Sequence, residues 1–177
     1  SWNAHHDIGH GGFSNENKLL LVDQLSRILK VFVSSESKLP LELAQYQIKI
    51  DPEQMHNVLN YASLFIGEGS TMAEESSVLG TPSILVTSCP RGGVINDLER
   101  FHLMEFLSNS YADQDKAIRL AVAYAKSDDI KKQYHSSLTA MLDEFIDVSA
   151  FLAWFINKYP ESKKMIRSGE AGFDSFR

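Results

Sequence analysis

Apolar positions recur at helical spacing from Asn15 to Lys30, where Leu19, Leu20, Val22, Leu25, Ile28 and Leu29 predict an amphipathic helix with Ser14 as its N-cap. The pattern then shortens. Lys30 to Ser34 is β-branched and closed by polar residues, as a buried strand would be, and Gln47 to Ile50 is a second, weaker strand. Asp51-Pro52-Glu53 opens another helix, with Asp51 as N-cap, Pro52 at the first helical position, and Met55, Val58, Leu59 and Ala62 on its core face. Leu64 to Gly67 reads as a strand, Ser70 to Leu79 as a helix stopped by Gly80 and Pro82, and Ser83 to Val86 as a further strand. Strand and helix thus alternate with short connections, which predicts an α/β domain: a Rossmann-like parallel sheet flanked by helices. The α/β core would occupy residues 1–96. Residues 97–177 read as mainly helical, three or four helices interrupted near Asn109, Asp128 and Asp147, then a polar tail from Pro160.

Length and composition narrow the classes. A chain of 177 residues with 44% hydrophobic content suits a single domain with a sizeable core. Its net charge of -6 argues against duplex nucleic acid as a partner, because phosphate neutralisation needs a basic face. Small anions remain compatible with it, since backbone amides bind them without cationic side chains. Cys89 is the single cysteine, so no intrachain disulfide forms, and it reads as a small buried apolar residue. The longest apolar stretch, Val148 to Ile156, is well short of the roughly 20 residues that span a bilayer. No membrane span and a cytoplasmic location are expected. Ser1-Trp2 reads as the end of a strand already under way, so the expectation is a fragment whose N-terminal partner domain lies outside it.

The most informative segment runs from Phe65 to Glu75: a strand, a glycine-bearing turn and the first turns of a helix. Unpaired amides and the helix dipole at such a junction favour an anion. Gly69 would let a pyrophosphate approach the backbone, Ser70 and Thr71 could add hydroxyl donors, and Glu75 could reach back to paired ribose hydroxyls. Equally, Ser70 and Thr71 could merely cap the helix, with Glu74 and Glu75 placed at its positive end.

The run Gly69-Ser70-Thr71-Met72-Ala73-Glu74-Glu75 continuing to Leu79-Gly80-Thr81-Pro82 resembles the signature of GT-B-fold sugar-nucleotide enzymes, among them UDP-N-acetylglucosamine 2-epimerase and the glycosyltransferase of peptidoglycan lipid intermediates. Ala4-His5-His6-Asp7-Ile8-Gly9-His10 followed by Gly67-Glu68-Gly69-x-Thr71-Met72 is similar to a prokaryotic family of unknown function described as glycosyltransferase-like. The resemblance covers Ser1 to about Val86 and implies the C-terminal half of a GT-B-like fold. It implies a nucleoside-diphosphate sugar as ligand, a UDP-sugar above all, for glycosyl transfer or 2-epimerisation; beside that ligand no cofactor is expected. By the same resemblance the diphosphate falls to Gly69, Ser70 and Thr71, the ribose to Glu75, and the base to the strand end at Ile50 and Asp51. One departure stands out: the epimerase has Ser-Gly-Gly at the turn, and an acidic Glu68 beside a diphosphate is repulsive unless it points away or binds a sugar hydroxyl.

His5, His6, Asp7 and His10 follow the expected first strand, where loops face the ligand crevice of an α/β sheet. Three readings stay open: a zinc or iron site, although adjacent side chains point apart; a general acid or base, or donor to phosphate; and a loop held by its own hydrogen bonds. His56 and Arg91 are further cleft candidates, the latter as a guanidinium for an anion. Phe145, Val148, Phe151, Leu152, Phe155 and Ile156 form a broad stripe read mainly as core, and as the surface that meets an N-terminal domain or a second copy. A metal-dependent hydrolase using the His5 to His10 loop and a non-enzymatic interaction module are the competing functions.

Overall fold

In the computed structural model, which describes residues 9–35 and 38–177, helix α1 (Asn15–Ser26) is followed by the short α2 (Leu41–Ala44) and by α3 (Met55–Tyr61). Then come β1 (Phe65–Gly67), α4 (Ser70–Val78), β2 (Ser83–Val86), α5 (Gly93–Arg100), β3 (Glu105–Leu107) and α6 (Tyr111–Ala125). The last helices are α7 (Ile130–Glu144), α8 (Val148–Asn157) and α9 (Glu161–Ser168). The α/β expectation holds: the sheet is parallel, in the order β1-β2-β3, and flanked by helices. Its register sets Phe65 beside Ser83 and Leu85 beside Phe106.

The central strand explains the arrangement. Every residue of β2 is buried, as a parallel strand covered on both faces requires. Ile84 and Val86 join Phe13, Leu21 and Leu25 around α1 and Leu107, Ala117, Ile118 and Ala121 around β3 and α6. Leu85, equally buried, is absent from that cluster because successive side chains leave opposite faces of a strand. Helix α4 packs on β1 and β2 through small residues. Ser76 Oγ and Ser83 Oγ both donate to the Ala73 carbonyl at 3.0 Å, so these buried hydroxyls are satisfied rather than stranded. Gly80 ends the helix with φ of +76°, and a Cβ there would lie 2.9 Å from the His135 ring, so both backbone and packing require glycine.

Local signals place the helix ends. Ser14 Oγ accepts from the Asn17 amide at 3.2 Å, and Ser110 Oγ from the Asp113 amide at the same distance. Asp51 stands where the N-cap was expected, and Pro52 opens a 3-10 turn to Gln54, but the Asp51 side chain makes no capping bond. The Lys131 ammonium donates to the Asn60 and Ala62 carbonyls, 2.7 and 2.9 Å away, closing the C-terminal end of α3.

Several expectations are corrected. The two early strands shrink to one parallel bridge between Val33 and Gln47, because the bend through α2 leaves Phe32 more than half exposed and the segment unburied. Helix α1 stops at Ser26, where the Leu25 carbonyl draws in the amides of Arg27, Ile28 and Leu29 and tightens the last turn. The mainly helical second half also holds β3, which completes the sheet; three residues are too short a pattern to read. Helix α5 starts at Gly93, two residues after Arg91.

Contacts divide the chain into two units, one ending at Leu138 and the other running from Thr139 to Arg177. In the second, Asp147 Oδ1 caps α8 through the Ala150 amide, and Phe151 and Trp154 pack against Phe176 with ring centroids 5.4 and 5.2 Å apart. The broad stripe thereby splits into two faces. Phe151, Trp154 and Phe155 are half-buried, whereas Val148, Leu152 and Ile156 are 57%, 49% and 71% exposed, so the expected core role fails for the latter three. No helix among the described residues is long and apolar enough to cross a membrane.

Candidate functional site

The carboxyl ends of β1, β2 and β3 lead into Glu68-Gly69, Thr87-Ser88 and Ser108-Asn109, and the Gly9 to Ser14 loop is tied to this edge. Gly11 makes two bonds with Ser88: its carbonyl accepts from the Ser88 amide at 2.8 Å, and its amide donates to Ser88 Oγ at 2.9 Å. Two residues on, the Phe13 amide donates to Glu68 Oε1 at 2.6 Å, and Lys18 Nζ lies 3.1 Å from the same oxygen. Ser14 and Asn17 both donate to Gln114 Oε1 on α6. One loop is therefore fastened to the ends of β1 and β2 and to α6.

These bonds settle where Glu68 points. Its carboxylate is taken by the Phe13 amide and the Lys18 ammonium, which partly neutralise it next to the turn. Gly12 makes the approach possible, since a Cβ there would fall 2.6 Å from the Glu68 carboxyl carbon. Helix α4 begins directly beyond. Its N-cap, Gly69, has extended backbone and offers no side-chain cap, and Gly69, Ser70 and Thr71 are exposed. A Cβ at Gly69 would meet nothing within 4 Å, so that side of the turn is open. Ser70 and Thr71, as the first residues of the helix, do not cap it. The amides of this first turn face a helix end that no capping side chain closes.

Further into α4, Glu75 Oε2 lies 3.4 Å from His56 Nε2 on α3, so two residues singled out separately form a pair when the imidazole is protonated. Burial, and then the neighbouring Glu75 carboxylate, raise the Glu74 carboxyl above its ordinary value. Ahead of His56, at the start of the 3-10 turn, Lys49, Ile50, Asp51 and Gln54 line a shallow depression of about 400 Å³. Ile50 and Asp51, expected at the base site, lie along this open depression, and the His56–Glu75 contact joins α3 to α4.

Arg91 is placed differently from its expected role. Its guanidinium pairs with Glu99 at 2.9 Å and sits over the Phe106 ring, 4.7 Å from the centroid, so both its charge and its flat face are engaged within the protein. Cys89 is half-buried rather than fully buried. His10 Nδ1 lies 3.4 Å from Ser88 Oγ. His5, His6 and Asp7 fall outside the described residues. Among the described residues, no group of three or more His, Cys, Asp or Glu is arranged to hold a metal ion.

Ser88, Lys18, Lys49 and Gln54 were not anticipated. Ser88 had a usable signal, its place two residues beyond a fully buried strand, where side chains border the crevice. The other three are ordinary surface types whose role comes from what the fold sets beside them. No family model, curated protein or solved structure matches this chain.

Proposed function

We propose that the carboxyl edge of this sheet binds a nucleoside-diphosphate sugar, a UDP-sugar above all, for glycosyl transfer or 2-epimerisation as one half of a GT-B-like enzyme. One observation carries it: the first turn of α4 opens without a capping side chain at the strand ends, with Glu68 drawn off toward Phe13 and Lys18. The diphosphate would take the amides of Ser70 and Thr71 and their hydroxyls, with Gly69 allowing close approach. Glu75 would exchange His56 for the ribose hydroxyls, and the base would occupy the depression at Ile50 and Asp51. The loop from His5 to His10 would border the reacting sugar. Amides fixed before the reaction stabilise charge on the departing diphosphate without reorganising, the term that serves transfer best. Gly69 has no packing demand to explain it, which favours a ligand-directed role for the turn.

Titration calorimetry with UDP, uridine and inorganic pyrophosphate tests this. UDP is expected to bind more tightly than either fragment, and Glu75→Gln to weaken UDP about tenfold while leaving pyrophosphate unchanged, as loss of a charge-assisted pair of hydrogen bonds implies. No heat with UDP at millimolar concentration, or equal affinity in the variant, overturns the assignment.

A further inference from the structure

The paired bonds between Gly11 and Ser88 have a chemical consequence for the histidine beside them. Ser88 follows Thr87, whose amide donates to the Leu107 carbonyl at 3.1 Å and whose Oγ1 accepts from the Cys89 amide at the same distance, so Ser88 sits on a held segment at the sheet edge. Its hydroxyl oxygen accepts the Gly11 N–H at 2.9 Å. A hydroxyl has one proton of its own, and accepting a hydrogen bond makes it a better donor. His10 Nδ1 is 3.4 Å from that oxygen. We propose that Ser88 is the positioning residue for His10: its hydroxyl donates to Nδ1, which fixes the neutral imidazole as the tautomer with its proton on Nε2. His10 then offers a single N–H donor, suited to a ligand oxygen such as a phosphate or sugar oxygen, and not a basic nitrogen. The tautomer rests on the direction proposed for the Ser88–His10 bond, independently of the function proposed above, whereas the use of Nε2–H on a nucleotide sugar rests on that function.

The arrangement also says why two bonds hold Gly11 where one would serve to anchor a loop. The Ser88 amide to the Gly11 carbonyl fixes the backbone, at 2.8 Å, independently of the side chain. The bond from the Gly11 amide to Oγ occupies one lone pair and restricts where the hydroxyl proton can point. Ser88→Ala therefore keeps the backbone bond and removes only the hydroxyl, and Ser88→Thr restores it.

Ring nitrogen shifts of the uniformly 15N-labelled chain report the tautomer directly, with His10→Gln identifying the signal. In the parent protein the neutral His10 ring is expected to be protonated on Nε2. Ser88→Ala should release it to a mixture of both tautomers, and Ser88→Thr should return it. UDP affinity should fall about three- to tenfold in Ser88→Ala, the size of one hydrogen bond, recover in Ser88→Thr, and not fall further when Ser88→Ala is added to His10→Gln. A proton found on Nδ1 in the parent, or a tautomer indifferent to residue 88, overturns the proposal. A tautomer that follows the hydroxyl while no variant binds UDP supports the positioning of His10 and overturns the nucleotide assignment alone.

Discussion

Replacing Gly12 by alanine probes the junction on which the site depends. Gly12 is not in the left-handed region, so its backbone tolerates alanine and the reason for glycine is space. The new Cβ would lie 2.6 Å from the Glu68 carboxyl carbon. Restoring an ordinary contact needs about 1 Å of displacement, which would stretch the bond from the Phe13 amide beyond hydrogen-bonding range. Phe13 is 7% exposed, so its amide has little access to water in compensation. Losing a hydrogen bond to a charged group costs about 1.5–3 kcal/mol. The Lys18 pair, about one-third exposed on the lysine, adds at most about 0.5 kcal/mol. Against this, removing glycine's freedom from the unfolded chain favours alanine by about 0.4–1 kcal/mol. A net loss of about 1–2 kcal/mol is expected, read from urea unfolding midpoints at unchanged slope. The decisive control is the double-mutant cycle. With Glu68→Ala in place the three atoms nearest to the Cβ are gone, and Gly12→Ala should become neutral or stabilising. An equal cost in both backgrounds would refute the assignment of Gly12 to the Glu68 contact.

Ile84→Ala, in the fully buried central strand, should cost about 3 kcal/mol in the same unfolding assay, as core truncations of this size do. Lys131→Met removes the cation from the Asn60 and Ala62 carbonyls and should lower stability by about 1 kcal/mol, with faster amide exchange concentrated in α3. Asp113 accepts from the Ser108 hydroxyl and amide, which hold its carboxyl below the ordinary value of 3.8. Its contribution is therefore full above that pH and lost as pH falls through the lower folded value. Asp113→Asn should be less stable than the parent at neutral pH, with the gap closing under acid; a gap that widens there would contradict the sign.

The α/β class, the parallel sheet and the course of β1, α4 and β2 were legible in the chain itself, because periodicity, glycine and proline act over a few residues. Ser14 as a cap and Gly80 as a stop are local events of that kind. So was the turn at Gly69 to Thr71, a strand, a glycine and a helix in succession, though that no side chain caps it came from the structure. Whether Lys30 to Ser34 joins a sheet depends on burial by distant segments, and three residues are too few for β3 to announce itself. The α8 stripe misled for the same reason: apolar spacing shows that a helix has an apolar face, not what covers it.

Composition and spacing alone thus determined the α/β class and the strand–turn–helix succession from β1 through β2. Tertiary structure decided which side chains meet there. It turned Glu68 from a repulsive neighbour into a bracket for Phe13 and Lys18, paired His56 with Glu75, committed Arg91 to Glu99, and brought Ser88 to His10. Each of these joins residues at least eight positions apart, most of them far more, and no local pattern encodes a partner that only chain folding brings within reach.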